Sequence, residues 1–153
     1  MDVLAALQKI LAESHDPGNP GPEEIKETME TVKRIAVVGI SRNPEKAARR
    51  VPSYLAAQGY DIVPVNPFVD RILGKEAVDS LDQVTDSLDM VLVFRPSEEA
   101  GSIAEEALKR EERPVIWLQE GIQADPVAAK ARAQGIRVIQ DLCAFKVHQA
   151  LKG

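Results

Sequence analysis

One stretch of the chain decides the fold: residues 34–65 have the sequence RIAVVGISRNPEKAARRVPSYLAAQGYDIVPV. Both ends of this stretch are runs of mostly apolar, β-branched residues, and residues 47–58 between them form a helical segment that ends at Gly59. Apolar runs without polar alternation are typical of strands that are covered on both faces of a parallel sheet. The stretch therefore predicts a βαβ unit with a helical crossover.

Three further strand-like runs follow along the chain, MVLVFRP (90–96), PVIWLQEG (114–121) and IRVIQDL (136–142). Helical segments separate them at residues 97–110 and 126–134, and the longer connection 66–89 predicts a short extended piece near 75–78 and a short helix near 79–87. The pattern predicts an α/β fold, a three-layer, Rossmann-like, doubly wound sheet of five parallel strands in the order 3-2-1-4-5. Ligands of such sheets bind at the carboxyl ends of the strands, where the strand order reverses.

The residues before the first strand predict a helical appendage. Apolar residues from Val3 to Leu11 have the spacing of one helical face behind Asp2 as N-cap, and a second helix begins at Pro22 after a Pro/Gly-rich connector. We expect a single domain over 1–153, with N-terminal helices and connector at 1–33, a βα core at 34–142 and a C-terminal tail at 143–153. The sequence leaves open whether the first helix packs on its own domain, on a second copy or on a protein partner.

Composition excludes several classes of protein. The chain of 153 residues is 44% hydrophobic and 28% charged with a formal charge of −5, which argues against nonspecific binding to nucleic acid or an anionic membrane. No apolar run approaches the roughly 18 residues of a membrane span. Cys143 is the only cysteine, so no disulfide can form within the chain, and neither this usage nor the acidic start suggests export. We expect a cytoplasmic protein.

A basic island interrupts this acidic chain at residues 42–50, where Arg42, Lys46, Arg49 and Arg50 outnumber Glu45. Because proline is favoured in the first turn of a helix, Pro52 predicts a long loop that contains the whole island after strand one. Gly39 and Ser41 begin this loop, so a phosphate-rich ligand is expected there. The alternative is that Arg49 and Arg50 form a solvated face.

The two common nucleotide fingerprints are missing. A dinucleotide site needs G-x-G-x-x-G after strand one and an acidic residue at the end of strand two, whereas strand two ends in Val65-Asn66-Pro67. The Walker pattern G-x-x-x-x-G-K-[ST] is also absent from the sequence. The strand ends therefore argue against an NAD site and a P-loop.

The third and fourth strands end in further candidate binding residues. Phe94, Arg95 and Pro96 precede the acidic pair Glu98-Glu99, whose charge would repel phosphate, so this loop suits a base or another neutral group. Gln119, Gly121 and Ile122 follow the fourth strand and offer a polar group for an amide or hydroxyl. The alternatives are that Phe94 belongs to the core, that Arg95 is a surface residue and that Gly121 only serves a turn.

Taken together, VVGIS, VNP, VFRPSE and LQEGI at the four strand ends resemble the small CoA-binding domain proteins of bacteria and archaea, whose Rossmann-like domain also forms the N-terminal half of the succinyl-CoA synthetase α subunit. The resemblance covers about residues 30–150. It implies that CoA phosphates are held by Gly39, Ile40, Ser41 and the Lys46–Arg49 region, to which we add Arg42. It further implies that Asn66 and Pro67 line the nucleotide side, that Phe94, Arg95 and Pro96 border the adenosine or pantetheine path, and that Gln119, Gly121 and Ile122 close the site.

One position departs from the family pattern, because many relatives carry a basic residue where this chain has Phe68. No catalytic group is evident either. Neither His15 nor His148 has a serine, cysteine or carboxylate at a spacing that suggests a triad, and the residues offer no metal set. Cys143 could exchange with the CoA thiol, or it could be a small buried residue.

The sequence thus favours noncatalytic binding of coenzyme A or an acyl-CoA. Two alternatives stay open, an enzyme that uses NAD(P) or another nucleotide and an interaction scaffold with a degenerate pocket.

Overall fold

The computed structural model describes residues 2–153. Its helices are α1 (Val3–Leu11), α2 (Pro22–Thr31), α3 (Ala47–Ala57), α4 (Ser97–Leu108), α5 (Asp125–Ala133) and α6 (Ala144–Leu151), with one 3₁₀ turn at Leu81–Gln83. Its strands are β1 (Arg34–Val38), β2 (Asp61–Val65), β3 (Arg71–Ile72), β4 (Lys75–Glu76), β5 (Met90–Val93), β6 (Val115–Leu118) and β7 (Val138–Ile139).

Five strands form one parallel sheet in the order β2-β1-β5-β6-β7, with helices on both faces. One face packs against α1, α2, α3 and α6 and buries Trp117, and the other packs against α4, α5 and the 3₁₀ turn. The predicted three-layer α/β class is confirmed. Within residues 2–153, no helix is both long and apolar enough to span a bilayer.

The predicted strand order was wrong. If the five strands of the parallel sheet are numbered 1 to 5 along the chain, their order in the sheet is 2-1-3-4-5 rather than the predicted 3-2-1-4-5. The difference arises because β5 lies between β1 and β6. All four residues of β5 are buried, as a central strand requires, whereas β2 contains Pro64 and two partly exposed positions. Proline lacks an N–H for the ladder and is confined to edge strands, so Pro64 was the signal for placing β2 at the edge.

The helical segment predicted from residue 47 is confirmed, but the interpretation that Pro52 lies in its first turn was wrong. The helix begins at Ala47, so Pro52 lies inside it and Arg49 and Arg50 belong to its first turns rather than to a loop. Pro52 has no N–H to donate to the carbonyl of Ala48. That carbonyl instead accepts the N–H of Ser41 at 3.1 Å, which fastens the loop after β1 to the helix.

The N-terminal segment is built into the fold. Asp2 caps α1 as predicted by accepting the N–H of Leu4 at 3.2 Å, and α1 packs against α6. The connector covers the edge of the sheet: the Asn19 side chain accepts the N–H of Gln140 at 2.8 Å and donates to its carbonyl at 2.9 Å. A side-chain amide thus replaces the next strand at an edge that would otherwise be open to pairing.

The connection 66–89 contains the predicted extended piece near 75–78, as β4 and a bridge at Val78, but not the predicted helix near 79–87. A short antiparallel β3–β4 hairpin precedes a parallel bridge between Val65 and Val78, and the expected helix is only the 3₁₀ turn at Leu81–Gln83.

Candidate functional site

Gly39 lies at the carboxyl end of β1, at the point where the strand order reverses between β1 and β5. Its φ of +88° is in the region that favours glycine. A Cβ at this position would stand 2.8 Å from Cδ of Arg95, whose side chain crosses the glycine. Any larger residue would therefore clash with Arg95 in the loop after β5.

The loop after β1 is held by the end of β2. The Asn66 side chain donates to the carbonyl of Ile40 at 2.7 Å and accepts the N–H of Phe68 at 2.8 Å. Ile40 is fully buried, so it contributes a backbone position rather than a ligand-facing side chain. Ser41 Oγ accepts the N–H of Asn43 at 3.0 Å, which shapes the turn that leads to the basic island.

The basic island lies around the start of α3. Lys46 is the N-cap residue and is exposed, as is Arg42 in the loop before it. The N–H groups of Arg49 and Arg50 are the first to donate within the helix, both to the Lys46 carbonyl at 3.0 Å. The earlier N–H groups of α3 have no intrahelical acceptor, and the helix dipole adds positive potential there.

Arg49 carries an unusual polar atom. Its Nε is buried and has no hydrogen-bond partner among residues 2–153. Leaving a charged donor buried and unpaired is costly, so this atom marks a place where an acceptor from outside the chain would be favourable.

A cavity of about 440 Å³ opens between α3, α6 and the end of β6. Its lining residues are Ala47, Arg50, Val51, Gln119, Glu120, Cys143, Phe145 and Lys146. Gln119 is only 5% exposed, and its Oε1 accepts the N–H of Ala144 at 3.3 Å. The hydrogen bonds of residues 2–153 leave Gln119 Nε2 without an acceptor, so a polar donor faces this mostly apolar cavity. We call it the α3–α6 cavity.

A neighbouring cavity of about 410 Å³ is walled partly by the N-terminal segment. Its lining residues are Ile10, Glu13, His15, Glu120, Gly121, Gln123, Asp141, Leu142, Cys143 and Lys146. Glu120, Cys143 and Lys146 line both this cavity and the α3–α6 cavity, so the two adjoin. We call the second one the N-terminal cavity.

Asp141 organises the N-terminal cavity from the end of β7. It is 7% exposed with a φ of +56°, and its carboxylate accepts the N–H of Gly121 at 2.6 Å and both the N–H and the ring Nδ1 of His15 at 2.8 Å. Burial alone would raise the pKa of Asp141, but the hydrogen bonds from His15 and Gly121 hold that pKa below its ordinary value. The carboxylate therefore stays charged and ties the connector to the sheet.

A third, smaller cavity of about 190 Å³ lies on the opposite face of the sheet, beside α4. The strand ends contribute five residues to its lining, Val38, Gly39, Val65, Pro67 and Arg95. Arg95 bonds Glu99 through two nitrogens at 2.7 and 3.0 Å, and this hydrogen bonding lowers the pKa of Glu99. The Arg95 charge is thus already neutralised within the chain.

The remaining candidates lie at the rim or in the core. Phe94 packs partly against the core on the α3 side, Pro96 is the N-cap of α4, and Ile122 packs against the core on the α4 face rather than at a cavity. Phe68 is 88% exposed beside Pro67.

Among the residues of the α3–α6 cavity that sequence reasoning left out of the site are Arg50, Phe145 and Lys146. Arg50 was visible as part of the basic island. The other two follow the fifth strand, whose carboxyl end must share the edge with the other strand ends. Across residues 2–153, no cluster of histidine, cysteine or carboxylate side chains is suited to a metal ion.

Known proteins are similar to this chain in sequence and in fold. The family model described as CoA binding domain matches residues 33–149. This chain belongs to the CoA-binding domain family. Uncharacterized protein YneT from Bacillus subtilis (strain 168) is 40% identical over 134 residues, which cover 88% of this chain and 98% of the relative.

Two solved structures share both sequence and fold with this member of the family. A hypothetical protein from Pyrococcus horikoshii OT3 is 30% identical with a TM-score of 0.83, over 92% of this chain and 99% of that one. A protein from Thermus thermophilus, cell-free ID.343, is 36% identical with a TM-score of 0.77, over 84% and 97% of the two chains.

Proposed function

We propose that the protein binds coenzyme A, or an acyl-CoA, across the carboxyl edge of its sheet. The observation that carries the proposal is the buried Nε of Arg49, which has no partner among the described residues and lies at the basic N-terminus of α3. An anion at this helix start would supply the missing acceptor and meet the helix dipole. Family membership adds independent support, because the matched family model is a CoA binding domain.

The cavities on the two faces suit the two ends of such a ligand. In the proposed arrangement the adenosine occupies the small cavity beside α4, the phosphates pass Gly39 to reach Lys46 and Arg49, and the pantetheine arm enters the α3–α6 cavity. Gln119 Nε2 would donate to an amide carbonyl of that arm. CoA carries a 3′-phosphate in addition to its pyrophosphate, which agrees with a surplus of cations around residues 42–50.

The end of β2 argues against the alternative of an NAD site. A carboxylate is needed there for the ribose hydroxyls, whereas this chain has Asn66, whose side chain is already bonded to Ile40 and Phe68. The chain thus offers no acceptor that would select NAD over CoA at this position.

Titration calorimetry under reducing conditions tests the proposal, with CoA, dephospho-CoA and NAD as separate ligands. We expect CoA to bind, dephospho-CoA to bind more weakly and with less salt dependence, and NAD not to bind. Lys46→Ala should weaken CoA binding about 10-fold. Lys109→Ala is the matched control, because Lys109 is exposed at the far end of α4.

Equal affinity for CoA and dephospho-CoA would contradict the role of the basic island. Absence of binding to all three ligands would overturn the proposed function and favour an interaction scaffold.

A further inference from the structure

Three reactive side chains that are distant in sequence share the N-terminal cavity. His15 comes from the connector, Asp141 from the end of β7 and Cys143 from the start of α6, and all three line this cavity. The sequence has no residue at a spacing around His15 that suggests a triad, but in three dimensions His15 Nδ1 lies 2.8 Å from Asp141. The proposed CoA site uses neither His15 nor Asp141.

The contact with Asp141 defines which nitrogen of His15 can accept a proton. A carboxylate only accepts, so Nδ1 of His15 must donate to it, and in the neutral ring Nε2 then remains as the acceptor. The His15 backbone N–H is bound to the same Asp141 oxygen at 2.8 Å, which fixes the position of the residue. His15 thus has the tautomer of a general base, with Asp141 as its positioning residue and with its side chain 85% exposed.

Cys143 lies where the two cavities meet. It is 9% exposed, it is the N-cap residue of α6, and it lines both the α3–α6 cavity and the N-terminal cavity. The first helical N–H that bonds within α6 is that of Val147, to the Cys143 carbonyl at 3.0 Å. The earlier N–H groups of Phe145 and Lys146 therefore lack an intrahelical acceptor and can meet negative charge near the sulfur.

The adjoining cavities also suit the two sides of a thioester. A pantetheine arm in the α3–α6 cavity, where Gln119 Nε2 is free to donate, would end near Cys143. An acyl group beyond the thioester would then extend into the N-terminal cavity, whose volume of about 410 Å³ holds a short chain. Ile10 and Leu142 supply apolar surface there, and Glu13, Glu120 and Lys146 supply charge.

We propose that Cys143 accepts a short acyl group from bound acyl-CoA, with His15 as the general base. His15 Nε2 takes the thiol proton, and the Cys143 sulfur forms a bond to the acyl carbon. The bond between that carbon and the CoA sulfur breaks, and the leaving CoA thiolate receives the proton from His15. One thioester is exchanged for another, so acyl-CoA and the Cys143 thiol give acyl-Cys143 and CoA with no further reactant. This inference rests on the proposed binding of acyl-CoA.

The test is incubation of the full chain with acetyl-CoA in a non-thiol reductant, followed by intact-mass and peptide analysis. We expect an increment of one acetyl group on Cys143, sensitive to neutral hydroxylamine, and no increment in Cys143→Ala. His15→Asn should slow acetylation about 100-fold or more. Asparagine keeps a donor nitrogen at the position of Nδ1, so the contact with Asp141 survives while Nε2 is lost.

Two further readouts separate proton transfer from a structural role. The pH profile of the acetylation rate should differ between the unmodified chain and His15→Asn, because the variant lacks the imidazole Nε2. His148→Asn is the matched control, since His148 bonds Tyr54 through Nδ1 at 2.8 Å and lines neither cavity. Its rate should equal that of the unmodified chain.

Calorimetry distinguishes failure of this step from failure of binding. A chain that binds acetyl-CoA but gains no acetyl group overturns the acyl-transfer proposal alone. An equal rate in His15→Asn would overturn the role of His15.

Discussion

The two ends of the carboxyl edge differ in how their polar groups are partnered. At the β7 end, Gln140 and Asp141 are buried, and the backbone and side-chain groups of Gln140 bond Asn19, Asp16 and Ala124. At the β1–α3 end, by contrast, Arg42 and Lys46 are exposed, and Arg49 Nε is buried without a partner among residues 2–153.

This difference indicates that the two ends serve different purposes. Buried polar groups that are satisfied within the chain stabilise one arrangement, whereas an unsatisfied buried donor persists at a cost that a ligand can remove. We therefore expect substitutions at the β7 end to lower the free energy of unfolding. Substitutions at the β1–α3 end should instead lower the affinity for CoA.

The largest effect is expected for Asp141→Ala. Loss of the carboxylate leaves the N–H groups of Gly121 and His15 without their acceptor, and alanine tolerates the positive φ less well than aspartate. The free energy of unfolding should fall by about 3 kcal/mol. Urea denaturation measures this change, and Asp70→Ala on the exposed β3 loop should leave the midpoint nearly unchanged.

Asn19→Ala should have the next largest effect on stability. The substitution removes both bonds to the Gln140 backbone and uncovers the edge of β7. A loss of about 2 kcal/mol is expected from two buried backbone groups. Asn43→Ala, which removes a single bond in an exposed loop, serves as the comparison. Equal midpoints for the two variants would contradict the structural role of the connector.

Arg49→Met tests the β1–α3 end of the carboxyl edge, where affinity rather than stability is expected to fall. Methionine keeps much of the apolar stem but removes the buried donor, so the free energy of unfolding should stay level or rise by up to about 1 kcal/mol. Affinity for CoA should fall about 10-fold because one charge-assisted contact is lost. Calorimetry and denaturation on the same sample give both numbers. A less stable variant with normal affinity would place Arg49 among the structural residues.

The smallest effect expected is a pH dependence at the β7 end. The folded-state pKa of Asp141 lies below its ordinary value of 3.8, so its contribution to stability is complete above that value and is lost as pH falls toward the folded pKa. Asp141→Asn should therefore flatten the acid limb of the unfolding free energy. An acid limb as steep as that of the unmodified chain would assign the effect to other carboxylates, such as Asp16.

Local sequence patterns predicted most of the fold but only part of the site. Strand positions, the Asp2 cap and the turn at Gly39 follow from apolar runs and from glycine, and the structure shows them. The predicted strand order was wrong because the preference of Pro64 for an edge strand concerns the assembled sheet and not the local sequence pattern. The placement of Pro52 in the first turn of α3 was wrong because the loop residue Ser41 supplies the donor that Pro52 lacks.

The N-terminal cavity was beyond sequence reasoning for a different reason. His15 and Asp141 are 126 residues apart, and nothing local to either residue indicates their contact. Only the docking of the connector on the edge of β7 brings them together. The candidate residues after β1 could be found from the sequence, because a glycine, several basic residues and the start of a helix follow one another there.

A crystal structure of the reduced protein with CoA tests the central claim most directly. We predict phosphate oxygens within hydrogen-bond distance of Arg49 Nε and the first N–H groups of α3, and a pantetheine arm that passes Gln119 in the α3–α6 cavity. CoA bound away from the carboxyl edge, or bound there with Arg49 Nε still unpaired, would contradict the account.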